Sequence, residues 1–366
     1  GSVWQEVGRV ANLTAVLQHG ADLLNLAPTI YLNLHASLNA SETTGFIPGD
    51  RCYSHRVEGY DAVTYGQMAV EYRSYPELFF SGALTEQLVD DMYKLGQGAT
   101  TCPAARWLNL GTGCAGLPIF THTVMGLPFG LLQHDMVDKF LLHYFTQSAH
   151  GSARGTFITP ESVTITDRTH VISYSASGIN NAPLCLKWML VFEEPETKVL
   201  WLGKAVPRAW LEPTEDPVVV QNATTRYGRI SFTMQAATTP PAAAAAVAHD
   251  SSGGGGADYA VRISVTVPTG WTAAASGAVP AGGLAVRIRA PTEHAGKLSS
   301  VTVGGKVWAG FDAATETATF SAAQLSSAAV TVGLQTIIAT FGAAAATPLR
   351  RARVDMSKRF LARERT

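Results

Sequence analysis

Hydrophobic positions recur at helical spacing through the first part of the chain and at every second residue through the last. Up to about residue 212 the spacing predicts helices. Val7, Val10, Leu13, Leu17, Ala21 and Leu24 fall broadly on one side of a helix over 4–24. A second helix is predicted over 62–74, ended by Pro76, whose ring restricts the residue before it and clashes with the preceding turn. A third runs from an N-cap at Thr85 to Leu95, with Gly96 as its C′ residue. Asp135 is the expected N-cap of the clearest helix, in which Met136, Val137, Phe140, Leu141, Tyr144, Phe145 and Ser148 repeat at helical spacing before Gly151. Residues 184–193 are apolar nearly all round and predict a buried inner helix. The long connections 43–61, 96–114 and 152–181 carry aromatic, acidic and amide groups, and such loops are where function concentrates.

After Pro217 the period becomes two. Residues 229–234, 259–267 and 284–289 alternate apolar and polar side chains, as half-buried strands do. Val301-Thr302-Val303 and Lys306-Val307-Trp308 flank Gly304-Gly305, a two-residue hairpin signal, and 330–341 supplies a last strand. Short strands with turn residues between them predict an antiparallel β-sandwich over 213–345. The low-complexity stretch 236–257 reads as an inserted loop, and 346–366 as a basic, solvated tail.

Composition narrows the classes. The chain has 366 residues, 46% of them hydrophobic and 15% charged, enough apolar side chain for a sizeable core and a prior for two domains. A net charge of −1 with scattered basic residues argues against a phosphate-tracking nucleic-acid binder. No apolar run is long enough to span a bilayer. The opening residues do not predict a signal peptide, because Trp4, Gln5 and Glu6 interrupt it; they read as the interior of a longer protein. None of the four cysteines sits in a CxxC pair, and no HExxH occurs, so a zinc site is not expected. Cys102 and Cys114 bracket a Gly-rich loop and suit either a local disulfide or buried free thiols. Sequons at Asn12, Asn39 and Asn222 lean towards a secreted or endomembrane-lumenal glycoprotein. A P-loop and a GxSxG elbow are absent, and Gly111-x-Gly113-x-x-Gly116 lacks the strand–helix context of a dinucleotide fingerprint; no cofactor is expected.

Several stretches resemble a family of uncharacterised, glycosidase-like proteins among the six-hairpin (α/α)-toroid glycoside hydrolases. Tyr65-Gly66-Gln67-Met68 with residues 71–77 (EYRSYPE) resembles an inner helix and its exit turn. Ser148-Ala149-His150 with residues 154–161 (RGTFITPE) resembles the loop after an inner helix. Residues 187–193 (KWMLVFE), Leu200-Trp201-Leu202, residues 207–211 (PRAWL) and Thr225-Arg226-Tyr227-Gly228 resemble the passage from toroid to sandwich. The segment 173–183 (SYSASGINNAP) departs from the family pattern. The resemblance implies a fold of α + β multidomain type: a partial (α/α)6 helical toroid over 1–212, then the sandwich. It also implies that an N-terminal fragment or a second chain completes the toroid.

Glycoside hydrolysis needs two carboxyl groups across the scissile bond, one a protonated acid and one a base or nucleophile. Toroid sites lie on loops at one mouth, which makes Glu58, Asp61 and Glu161 the catalytic candidates. Each serves equally as a solvated loop residue, and Asp61 as a helix N-cap. Tyr60, Tyr65 and Trp107 are candidate platforms for the apolar face of a sugar, while Gln67, His134, His150 and Arg154 suit hydroxyls or an acidic sugar. Two other functions are open. One is a non-catalytic carbohydrate-binding or structural subunit. The other is a polysaccharide lyase, with Tyr144 or His150 as base and Arg154 and Asn180/Asn181 neutralising a uronate.

Overall fold

The computed structural model describes residues 5, 7–9, 11–23, 25–26, 86, 89–90, 93, 119–120, 126–153, 155–156, 158–160, 162–163, 174, 176–237, 259–271, 279–327, 330 and 334–342. The helix expected over 62–74, Cys52, Cys102, Cys114, most of the insert and the basic tail lie outside them. The chain forms two compact units. The first comprises Gly1–Val206, Ser276–Arg287 and Phe320–Ala322; the second comprises Pro207–Ala275, Ile288–Thr319 and Ala323–Thr366.

In the first unit residues 14–23 are helical, but the helix expected over 4–24 is interrupted. Asn12 takes a left-handed conformation (φ 54°) and a turn occupies 11–12. The longer helices that follow among the described residues are α1 (Gly126–Gln133), α2 (Val137–His150) and α3 (Ala176–Leu190). Leu127, Leu131 and Leu132 of α1 are fully buried, and Phe129 meets Trp188 edge-on at 5.2 Å and Phe192 at 4.9 Å. Two departures from expectation matter. Asp135 does not cap α2: Met136 holds that position, and Asp135 has φ 60° with its carboxylate turned to two cations. The apolar run 184–193 is not one helix. It is the second half of α3, running straight into a strand, Val191–Glu193, where β-branched and aromatic residues favour extended backbone.

The strands are β1 (Ile119–Phe120), β2 (Ser162–Val163), β3 (Val191–Glu193), β4 (Leu200–Leu202), β5 (Val218–Thr225), β6 (Gly228–Ala236), β7 (Tyr259–Thr266), β8 (Leu284–Arg287), β9 (Leu298–Val303), β10 (Lys306–Val307), β11 (Phe311–Asp312), β12 (Thr317–Phe320) and β13 (Ile337–Phe341). They build a two-stranded ribbon, β1–β2, and sheets of five and six strands. In the first unit β3 pairs antiparallel with β4, and β4 pairs parallel with β8, whose four residues are all buried. A strand buried on both faces shows no in–out contrast, so the alternation expected over 284–289 does not describe β8.

The toroid is therefore overturned. Among the described residues the fold is mixed, with sheets of five and six strands and no ring of helical hairpins, and it is richer in sheet than the helical spacing implied. Strands β3 and β4 fall inside the region expected to be helical. The partner segment inferred to complete the toroid rested on that geometry and has no support without it.

The six-stranded sheet of the second unit runs β10-β9-β13-β7-β6-β5, antiparallel throughout. Its inward face is set by the pleat. Phe232 pairs with Val265, Met234 with Ile263, Ile337 with Ile263 and Val303, and Ala339 with Val261 and Val301, all buried. On the opposite face Ile338, Thr340 and Thr302 are also buried, so the sheet meets solvent at its β5–β6–β7 end. The Gly304-Gly305 hairpin forms as expected, both residues at positive φ (57° and 77°), as a type I′ turn requires.

Candidate functional site

The alternation in β6 and β7 that sends Phe232, Met234, Ile263 and Val265 inward sends Ser231, Thr233, Ser264 and Thr266 outward. Register places Ser231 opposite Thr266 and Thr233 opposite Ser264, so four hydroxyls form two cross-strand pairs on one patch. Beside them β5 carries a bulge. Val220 pairs with Phe232 and Ala223 with Ile230, leaving Gln221 and Asn222 to face Ser231 alone. Asn222 takes φ 53°, and its backbone N–H donates to Ser231 Oγ at 2.8 Å. The extra residue exposes two consecutive amide side chains at the rim. The result is an open groove of about 340 Å³ lined by Val219, Val220, Gln221, Asn222, Ser231, Phe232, Thr233, Ser264 and Thr266.

The chemistry of this lining is specific in one respect. It contains hydroxyls, two amides and apolar surface from Val219, Val220 and Phe232, and no titratable side chain. Such a surface offers donors and acceptors to a polyhydroxylated ligand but no acid, base or nucleophile.

The first unit holds a charged centre. Lys204, directly after β4, is 2% exposed, with Nζ 4.0 Å from the Trp201 ring centroid, 5.1 Å from that of Phe192 and 3.9 Å from Asp135 Oδ1. Arg287 of β8 pairs with the same Asp135 oxygen and lies 5.1 Å from the Trp201 ring. The Lys204 ammonium is lowered to about 8, chiefly by burial and further by Arg287, against the opposing pull of Asp135 and Glu194. An amine so enclosed reaches no ligand. It joins Arg287 in pinning the left-handed residue between α1 and α2 to the β4–β8 pair.

Of the residues singled out in the sequence, Glu58, Asp61, Glu161, Tyr60, Tyr65, Gln67, Trp107 and Arg154 lie outside the described residues. His150 is the last residue of α2. His134 is half-buried in the turn after α1, its backbone N–H donating to Gly130 O at 3.1 Å. The lyase set is weakened where it is described. Tyr144 lies between Phe140 (6.5 Å) and Phe145 (5.2 Å), and burial holds its phenol above the usual value, which disfavours it as a base. Asn181 is buried and accepts from Cys185 Sγ at 3.3 Å. Among the described residues no group of His, Cys, Asp and Glu is placed to hold a metal, and no helix is long and apolar enough to cross a membrane.

The groove was missed in the sequence, although its signal is there: Ser231, Thr233, Ser264 and Thr266 are the polar positions of the two best alternating strands. Compared with protein-family models, curated proteins and solved structures, the chain matches none.

Proposed function

We propose that this is a carbohydrate-active, glycoside hydrolase-like protein whose second unit binds an oligo- or polysaccharide in the β5–β6–β7 groove. The observation that carries this reading is the lining: paired hydroxyls and two amides on a rigid antiparallel sheet. Sheet backbone fixes their spacing, so a glycan loses entropy without the protein losing much. The stretches that resemble glycosidase-like proteins point to the same ligand class. In this reading the groove holds the chain of sugars, and bond cleavage, where it occurs, belongs to the carboxylates of Glu58, Asp61 and Glu161. A secreted or lumenal location fits such a ligand, and Asn12, one of the sequon asparagines, is exposed.

The test is binding of the full chain to a panel of immobilised glycans, with Thr233→Val and Ser264→Ala beside the wild type. Both substitutions keep the β-branched or small character of an outward strand position and remove a hydroxyl. The expected result is binding to at least one glycan class, weakened about tenfold in each variant, roughly the 1–1.5 kcal/mol of one lost hydrogen bond. Absence of any glycan binding would overturn the proposal. The hydrolytic arm is read separately, by release of reducing ends: Glu58→Gln, Asp61→Asn and Glu161→Gln are assayed one at a time. Activity that survives all three removes these residues from the mechanism.

A further inference from the structure

The outward row of β6 does not begin and end with hydroxyls. It reads Arg229, Ser231, Thr233, Gln235, and the row of β7 beside it reads Arg262, Ser264, Thr266. Arg229 stands opposite Thr224 of β5 at one end; Arg262 stands opposite Gln235 at the other. Both arginines are exposed and neither makes an ion pair among the described residues. The outward positions of β5, β6 and β7 include no Asp or Glu. Arg229 and Gln235 are six positions apart, so the two guanidinium-bearing positions are about 20 Å apart along the strands.

Resting on the carbohydrate reading, we infer that the ligand of this face is an acidic glycan, one bearing carboxylate or sulfate groups at intervals along its chain. Charge complementarity carries the inference. Two cations without counter-ions bracket a neutral hydroxyl floor, and a guanidinium meets a carboxylate or sulfate with two parallel N–H donors. A neutral glycan would gain only hydrogen bonds from its hydroxyls to either arginine, without the charge term. The groove then grips the ring hydroxyls through Ser231, Thr233, Ser264, Thr266 and the Gln221 amide, while Arg229 and Arg262 select for charge.

The experiment is calorimetric titration of the full chain with a polyuronate, a sulfated polysaccharide and a neutral glucan of similar length, each at low and raised salt. Arg229→Ala, Arg262→Ala and the double variant are compared with Lys306→Ala, a cation on β10 at the far edge of the same sheet. The expected result is preference for one or both acidic polymers, with affinity that falls as salt rises. The double variant should lose at least tenfold for the acidic polymer while Lys306→Ala is unchanged. The polyuronate and sulfate arms separate the two sources of negative charge. Equal or tighter binding of the neutral glucan, or a double variant that binds the acidic polymer unchanged, overturns the inference and leaves the carbohydrate reading standing. Binding of none of the three polymers overturns both.

Discussion

At the scale of single residues, the Lys204 centre makes a prediction whose sign follows from burial. Its ammonium titrates near 8 in the folded chain and near 10.5 in the unfolded chain, so between those values the unfolded state binds more protons and stability rises with pH. Below 8 the charged amine costs about 3 kcal/mol relative to the deprotonated form. Denaturant unfolding followed from pH 7 to 10 should show the wild type gaining on Lys204→Met across that window. At pH 7 the variant should be at least as stable as the wild type, since an apolar side chain replaces a buried charge. Asp135→Asn is the converse. Asparagine tolerates the left-handed backbone, so the change removes only the charge that Lys204 and Arg287 share, and about 2 kcal/mol of stability should go with it. In the second unit Glu316 is 2% exposed and takes a two-point ion pair from Arg208 and the Gly296 N–H at 2.8 Å. Glu316→Gln should cost about 3 kcal/mol in the same assay, because Arg208 is left without its counter-charge. None of these partners was legible in the sequence: Asp135 read as a helix cap, and Arg208 and Glu316 lie 108 positions apart. Long-range pairing of charges leaves no periodic trace.

Elements were legible where one rule sufficed. The Gly304-Gly305 turn and the alternating strands β6 and β7 form where their patterns put them, since turn chemistry and half-burial act locally. The sequence misled where burial was two-sided. Residues 184–193 are apolar all round both as the end of α3 and as β3, so periodicity carried no information about where helix gives way to strand. The bulge of β5 was equally invisible, because it is defined against β6 rather than within its own strand. Two glycines separate conformational from steric demand. Gly305 has φ 77° with open space where a Cβ would stand, so Gly305→Ala should cost only the left-handed penalty, about 1–2 kcal/mol. Gly283 has φ 85° and a Cβ there would lie 2.1 Å from Phe320 O, so Gly283→Ala should cost clearly more, or leave no folded protein. Thermal melts of the two variants side by side check this.

On the scale of the whole molecule, the change of period near Pro217 falls after strands have already begun with β3 and β4. Helical spacing before it reflected α1, α2 and α3, but these helices accompany β3, β4 and β8 instead of closing a ring. The return of 276–287 to the first unit is a nonlocal event, and no window of sequence reports it. The candidate site was half legible: the hydroxyl-bearing positions stand out in the alternation, whereas their convergence depends on cross-strand register and on the bulge. The central claim, that this sheet face is where a glycan binds, is tested most directly by amide hydrogen exchange of the full chain with and without saturating polysaccharide. Slower exchange confined to 219–222, 231–233 and 264–266 is the predicted result. Protection elsewhere, with these segments unchanged at saturation, would contradict it.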